Sequence, residues 1–214
     1  MKRERLAWSG WVVAAGLLGV MLGSGFQSPT LKLGVVDLNS VIDKSEDGKT
    51  SQKQFQSMKK SREGILEFID QYRILTPEQA IRFRDLSLKT EPTKPEEAEL
   101  ERIKAEVIAA SKKSQELAIK PNLTPEERTL VEEYSRRSMN MNDLSSRWLR
   151  EFTDEVQKYV ADKKEENYVK ARAAVNEVAT KETYTMIFEG TVALFGANDI
   201  TEQTLVAMNA KKPN

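Results

Sequence analysis

Apolar and polar positions change rhythm several times along this 214-residue chain. The first stretch is almost wholly apolar, from Leu6 to Phe26, and follows a basic start at Lys2, Arg3 and Arg5. Basic residues stay on the cytoplasmic side of a membrane, so the chain beyond this stretch is expected to be exported. About 20 apolar residues are long for a signal sequence and just enough to span a bilayer. Residues 1–26 therefore read as a signal peptide cleaved near Gly23-Ser24-Gly25, or as a retained signal anchor with Trp8 and Trp11 at the membrane interface.

The next rhythm is short and β-branched. Residues 31–38, Leu-Lys-Leu-Gly-Val-Val-Asp-Leu, predict a strand. Asn39 or Ser40 can cap a helix that follows, with Gly48 interrupting its first turns. Phe55, Met58, Arg62, Ile65, Ile69 and Tyr72 then repeat at spacings of three and four. That is a coiled-coil seam with one charged intruder, Arg62. Thr76-Pro77 with Gln79, and Thr124-Pro125 with Glu127, are helix starts with proline in the first turn and a capping box. Pro92 and Pro95 mark another break. The pattern predicts helices near 40–74, 77–90, 95–119 and 124–181.

The last of these is about 87 Å long at about 1.5 Å per residue. It needs a partner along its length. Residues 40–74 can lie antiparallel to 148–181, which leaves 77–147 as an elaborated tip. There Leu100, Ile103, Val107 and Ile108 can face Leu130, Tyr134, Met141 and Leu144. Beyond the arm, residues 183–188 predict a strand, Glu189-Gly190 a tight turn, and Thr191–Phe195 another strand. Asp199 and Glu202 suit the capping of a final helix up to Met208. The predicted fold is mainly α with a small β body, built from residues 31–38 and 183–210. A long antiparallel helical hairpin, residues 40–181, projects from it.

Composition narrows the chemistry. There are no cysteines and no histidines. That excludes thiol and imidazole catalysis, disulfides and zinc sites of the Cys/His type. The 33 basic and 33 acidic residues leave no net charge, which argues against a nucleic-acid partner. Charge runs such as Lys163-Lys164-Glu165-Glu166 read as solvated helix faces. No Gly-rich phosphate loop is present, and neither an enzyme nor a cofactor is expected.

Leu33-Gly34-Val35-Val36-Asp37-Leu38-Asn39-Ser40-Val41-Ile42, then Ser45-Glu46-Asp47-Gly48-Lys49, resemble the N-terminal end of the outer-membrane-protein-H-like family, the Skp-type periplasmic chaperones. Val192-Ala193-Leu194-Phe195, then Asp199-Ile200-Thr201 and Leu205, resemble its C-terminal end. The helical middle matches in pattern alone. The resemblance implies a homotrimer shaped like a jellyfish, with arms around a cavity that holds unfolded outer-membrane proteins in the periplasm without nucleotide, metal or catalytic residue. The chain departs from the family in its neutral charge and its long, proline-broken arm.

Two sets of residues follow. Leu33, Val35, Ile187, Val192 and Leu194 are expected to bury between strands and to hold the trimer. Phe83, Met139, Met141 and Trp148 are either seam residues of the arm or adaptable contacts for an unfolded client. A second reading of the whole is a coiled-coil adaptor of the cell envelope, held in the inner membrane by residues 1–26.

Overall fold

The structure, a computed structural model, describes residues 31–193 and 198–210. The export segment and Leu194 lie outside the described residues. In chain order the elements are β1 (Leu33–Val36), α1 (Leu38–Lys44), α2 (Glu46–Gln71), α3 (Pro77–Ser87), α4 (Lys94–Ala118), α5 (Pro125–Lys181), β2 (Met186–Glu189) and α6 (Thr201–Ala210). Among the described residues no helix is long and apolar enough to cross a membrane.

The predicted helix over 40–74 is two helices. The chain breaks at Ser45, which is fully buried. Its hydroxyl donates to the Ile42 carbonyl at 2.7 Å and accepts from the Gly48 amide at 2.9 Å. The hydroxyl thus serves the end of α1 and the start of α2 together. Gly48 is the residue that permits this turn. A Cβ placed there would lie 1.9 Å from the Ile42 carbonyl oxygen, a contact no side chain survives. Gly48 therefore lets the first turn of α2 touch the last turn of α1.

Two helices start with the caps that the sequence indicates. Thr76 and Gln79, and Thr124 and Glu127, form reciprocal capping boxes. The helix predicted over 95–119 starts at Lys94 with a cap that was not foreseen: the Glu96 carboxylate accepts from the Thr93 amide at 2.9 Å at the head of α4. The far end of α5 closes in a Schellman motif. The Tyr184 amide donates to Ala179 O at 2.9 Å and the Thr183 amide to Thr180 O at 3.3 Å. Thr183 holds the left-handed position, with φ 57°. That turn reverses the chain onto β2.

β1 and β2 are parallel, with Leu33 opposite Met186 and Val35 opposite Phe188. The predicted third strand does not form over the described part of 191–195: Thr191 and Val192 sit in a turn. The far edge of β1 is covered instead by residues 198–200, through Val35 N to Asn198 O and Ile200 N to Val35 O, both 2.9 Å. Asp199 accepts from the Thr201 amide at 2.9 Å, two residues ahead of it. The final helix accordingly starts at Thr201, later than predicted.

Apolar burial is concentrated at the two ends of the arm. At the body, Val36, Val41, Ala171, Ala174, Val178, Ile200 and Met208 form one core. Ala171 and Ala174 are small, so α1 and α6 approach α5 closely. At the tip, Ile65, Ile69, Leu75, Phe83, Leu86, Ile103, Val107, Met141, Trp148 and Phe152 form a larger one. There α3 folds back along α2, with Phe68 stacked on Phe83 at 4.4 Å between ring centroids. α4 then runs antiparallel to α3, tied by Arg82 to Glu99 at 2.9 Å and Gln79 to Glu106 at 3.1 Å. Leu117, Tyr134 and Ile74 make a smaller outer cluster, with Leu130 packed against it.

Between the two cores lies a polar waist. From Glu46 to Gly64 on α2, and from Thr153 to Lys170 on α5, Asn167 is the single buried residue. Here the helices are joined by hydrogen bonds and ion pairs. Tyr159 Oη lies 3.1 Å from Ser51 O and 2.9 Å from Gln54 Oε1. Tyr168 Oη donates to Asn39 Oδ1 at 2.8 Å, and Lys170 Nζ to Asp47 at 2.8 Å.

Candidate functional site

Two surfaces of the described chain offer themselves for contact with other molecules. The first is the outer face of the sheet. Side chains alternate across a strand, so Gly34 and Val36 turn inward and Leu33 and Val35 outward. On β2 the same alternation turns Met186 and Phe188 outward and packs Ile187 against the body core. Leu33 is 45% exposed, Met186 51% and Phe188 36%. Leu31, two residues ahead of β1, is also exposed. Leu33, Met186 and Phe188 on the two paired strands, with Leu31 just ahead of β1, make an apolar patch, unlike isolated surface leucines.

The residues expected to hold a trimer fall into three groups. Leu33 and Val35 are on this outer face. Ile187 is on the inner face and belongs to the fold of the single chain. Val192 is exposed, in the turn after β2, and Leu194 lies outside the described residues. Met186 and Phe188 were missed. They are two apart in the predicted strand 183–188, so the alternation was visible. Its phase was not, because both faces of that strand carry apolar side chains.

The second surface is the arm. Phe83, Met141 and Trp148 are each less than 5% exposed and belong to the tip core. Of their two expected roles, seam residue or client contact, these three take the interior one. The tip folds into a four-helix cluster, whose centre needs large side chains from all four helices. Met139, on the opposite side of α5 from Met141, is 65% exposed. Arg84 lies over Trp148 at 5.1 Å and over Phe152 at 5.4 Å, and pairs with Glu151. Arg62 lies over the Phe152 ring at 5.6 Å. The two arginines thus cap an aromatic pair at the boundary between tip and waist.

The waist holds an open groove of about 660 Å³ between α2 and α5, reaching down to α1. Its apolar lining is Ile42, Phe55 and Val160. Beside it, Lys163 and Lys170 both bond Glu166 and draw its carboxyl down to about 2. Asp47, and then Glu166, in turn hold Lys170 above the ordinary lysine range. At the tip, Lys89 and the Thr93 amide bring Glu96 to about 2 as well. These are ion pairs on exposed helices, and they fix charge without creating a proton donor or acceptor near neutral pH. Among the described residues no group of three or more Asp and Glu is placed to hold a metal ion.

Comparison with curated proteins and with solved structures returns no match. Residues 32–208 match the family model described as outer membrane protein (OmpH-like), a span that takes in both strands, the whole arm and most of α6; the chain belongs to the OmpH-like family.

Proposed function

We propose that this protein is an ATP-independent holdase chaperone of the periplasm. Three chains join through their sheet faces, and their arms enclose unfolded outer-membrane or envelope proteins and keep them from aggregating. Membership of the OmpH-like family supports a chaperone role in the cell envelope. The observation that carries the reading is the unpartnered apolar sheet face at the root of an arm about 85 Å long. Burying one such side chain contributes about 1.5–3 kcal/mol, so covering the face three times over favours a closed assembly. Among the described residues one edge of β2 is unpaired, and it adds main-chain donors and acceptors to the same contact.

Holding an unfolded chain takes many weak contacts whose avidity comes from effective concentration. Exposed side chains such as Met139 serve this purpose, since a thioether on a flexible stem adapts to varied partners. The test is twofold. Sedimentation should give three times the mass of one chain, and that assembly should suppress aggregation of a β-barrel protein diluted from urea. A monomer with no effect on aggregation sinks the reading.

The apolar run from Leu6 to Phe26 favours a second reading, an envelope adaptor anchored by that run. Sequencing the N-terminus of the protein from membrane and soluble fractions separates the two. A start near residue 27 in the soluble fraction supports the chaperone; retention of Met1 or Lys2 in the membrane supports the adaptor.

A further inference from the structure

The outer face of the sheet collects most of the apolar surface that the body leaves open. Within 31–44 and the described part of 186–210, the exposed large apolar side chains are Leu31, Leu33, Met186, Phe188, Val192 and Val206. Four of them make the patch on this face. From Leu31 to Val35 it is about 13 Å long, at about 3.3 Å per residue. An apolar patch of this kind takes whichever apolar partner is held nearest to it.

The nearest such partner is in the same chain. Leu31 follows directly on Gln27-Ser28-Pro29-Thr30, and before these lies the run from Leu6 to Phe26, which carries no charge. Four residues reach about 13 Å, enough to carry Phe26 from Leu31 to any point of the patch. Proline in that link favours the reversal this needs. Phe26, Leu22, Met21 and Val20 then offer large apolar side chains to Leu33, Met186 and Phe188. Tethered this closely, the run stands at the patch at an effective concentration of about a millimolar. A second copy of the chain at about a micromolar competes roughly a thousandfold less well.

We propose that the export segment, until it is removed, covers the outer face of the sheet and keeps the chain from assembling. The proposal rests on the reading of that face as the surface that joins three chains, and it names what controls the joining. Cutting the chain near Gly23-Ser24-Gly25 abolishes the tether, and with it the advantage over other copies. Entry of the run into a bilayer clears the face in the same way. Leu31 and Leu33 stay on the body in either case, so assembly follows export.

The test compares the full chain with the chain that starts at Gln27. The full chain is made by cell-free translation without membranes, so that the run is neither cut nor inserted. Sedimentation at micromolar concentration should give the shortened chain three times the mass of one chain and leave the full chain single. The full chain should need at least about a hundredfold higher concentration to assemble. Leu22→Asp/Phe26→Asp in the full chain should restore assembly at micromolar concentration. Both substitutions precede Gln27, so body and arm keep their sequence, and circular dichroism checks that they keep their helices. Photo-reactive benzoylphenylalanine in place of Phe188 should cross-link to residues 1–26 in the full chain and to a second copy in the shortened one.

If both forms assemble at the same concentration, the proposal is overturned and the reading of the face as the joining surface stands. The outcome is the same if the full chain stays single but position 188 fails to cross-link to residues 1–26, or if Leu22→Asp/Phe26→Asp leaves it single. A full chain that aggregates without limit has its apolar run uncovered, which also overturns the proposal. If the shortened chain is itself a monomer, the joining surface is refuted and the proposal falls with it.

Discussion

Arg62 directs both Nε and Nη2 at a single oxygen of Glu155, at 2.8 and 2.7 Å, across the two helices of the arm. The charged intruder in the heptad seam is thus a cross-link, and it sits where the apolar tip core gives way to the polar waist. Its side chain is 17% exposed and that of Glu155 37%, so the pair is neither free in solvent nor buried. A double-mutant cycle with Arg62→Ala and Glu155→Ala should give a coupling of about 1 kcal/mol in urea denaturation. Arg62→Leu, which completes the apolar seam, should cost less than Arg62→Ala. A coupling indistinguishable from zero would mean that the pair merely coexists.

Gly48 should be the least replaceable residue of the arm's root. In Gly48→Ala the new methyl meets a backbone oxygen, which cannot move aside as a side chain can. The variant should lose about 3 kcal/mol or more, and the break between α1 and α2 with it. Ser45→Ala leaves the backbone path open and removes only the cap, for a loss of about 1–2 kcal/mol. Chemical denaturation of both variants checks the order; Gly48→Ala at or below the cost of Ser45→Ala contradicts it.

Gly64 and Thr183 are the reverse cases. At Gly64 a Cβ would meet nothing within 4 Å, so Gly64→Ala should stabilise α2 by about 0.5–1 kcal/mol. Thr183 is a β-branched residue in the left-handed region, where glycine is at ease. Thr183→Gly should raise the melting temperature, by about 1 kcal/mol in stability. A fall in melting temperature on Thr183→Gly would show that its side chain contributes more than its backbone costs.

The two faces of the sheet should respond differently to charge. Val35→Asp and Phe188→Asp place a carboxylate on the outer face, and should yield a folded monomer by sedimentation and circular dichroism. Ile187→Asp places it against the body core and should unfold the body at any protein concentration. An intact trimer from Phe188→Asp removes the sheet face from the assembly.

Acid should loosen the arm in a defined window. Glu166 and Glu96 have folded pKa values of about 2, below the ordinary 4.5. Their neighbours stabilise the ionised form, so this contribution is whole above about pH 4.5 and disappears as pH falls toward 2. Glu99, held low by Arg82, and Glu127, held low by Lys120, add to the same trend. Lys170 has the opposite sign: its pKa is raised, so its contribution is lost only in strong alkali. Thermal melts at steps between pH 5 and pH 2 should show a steady decline, smaller in Glu166→Gln. A flat profile over that window contradicts it.

Much of the arm could be read directly. The Thr-Pro starts of α3 and α5 are local chemistry, and Ile65 and Ile69 follow from the heptad. The tip partners Ile103, Val107 and Met141 do meet, because helix faces are set by spacing. Other features depend on contacts far apart in sequence. Nothing local indicates that the Ser45 hydroxyl serves two helices, although Gly48 three residues later was a sign of an interruption. The parallel direction of β2 depends on the turn at Thr183, a residue that ordinarily avoids that conformation. The outward phase of Met186 and Phe188 depends on which face Ile187 finds against α1, α5 and α6. Phe83 and Trp148 were legible as apolar helix residues; that four helices surround them was not.

The separation of the two cores also implies an order of events during synthesis. Every residue of the tip core lies between Ile65 and Phe152, so that core can close while the rest of α5 is still being made. The body core joins Val36 and Val41 to Ile200 and Met208, and no early part of the chain can complete it. Local contacts form quickly and distant ones slowly. The far end of the arm should therefore be finished first, and the outer face of the sheet should exist only once translation is nearly over. A chain built this way completes its sheet last, when its arm is already folded.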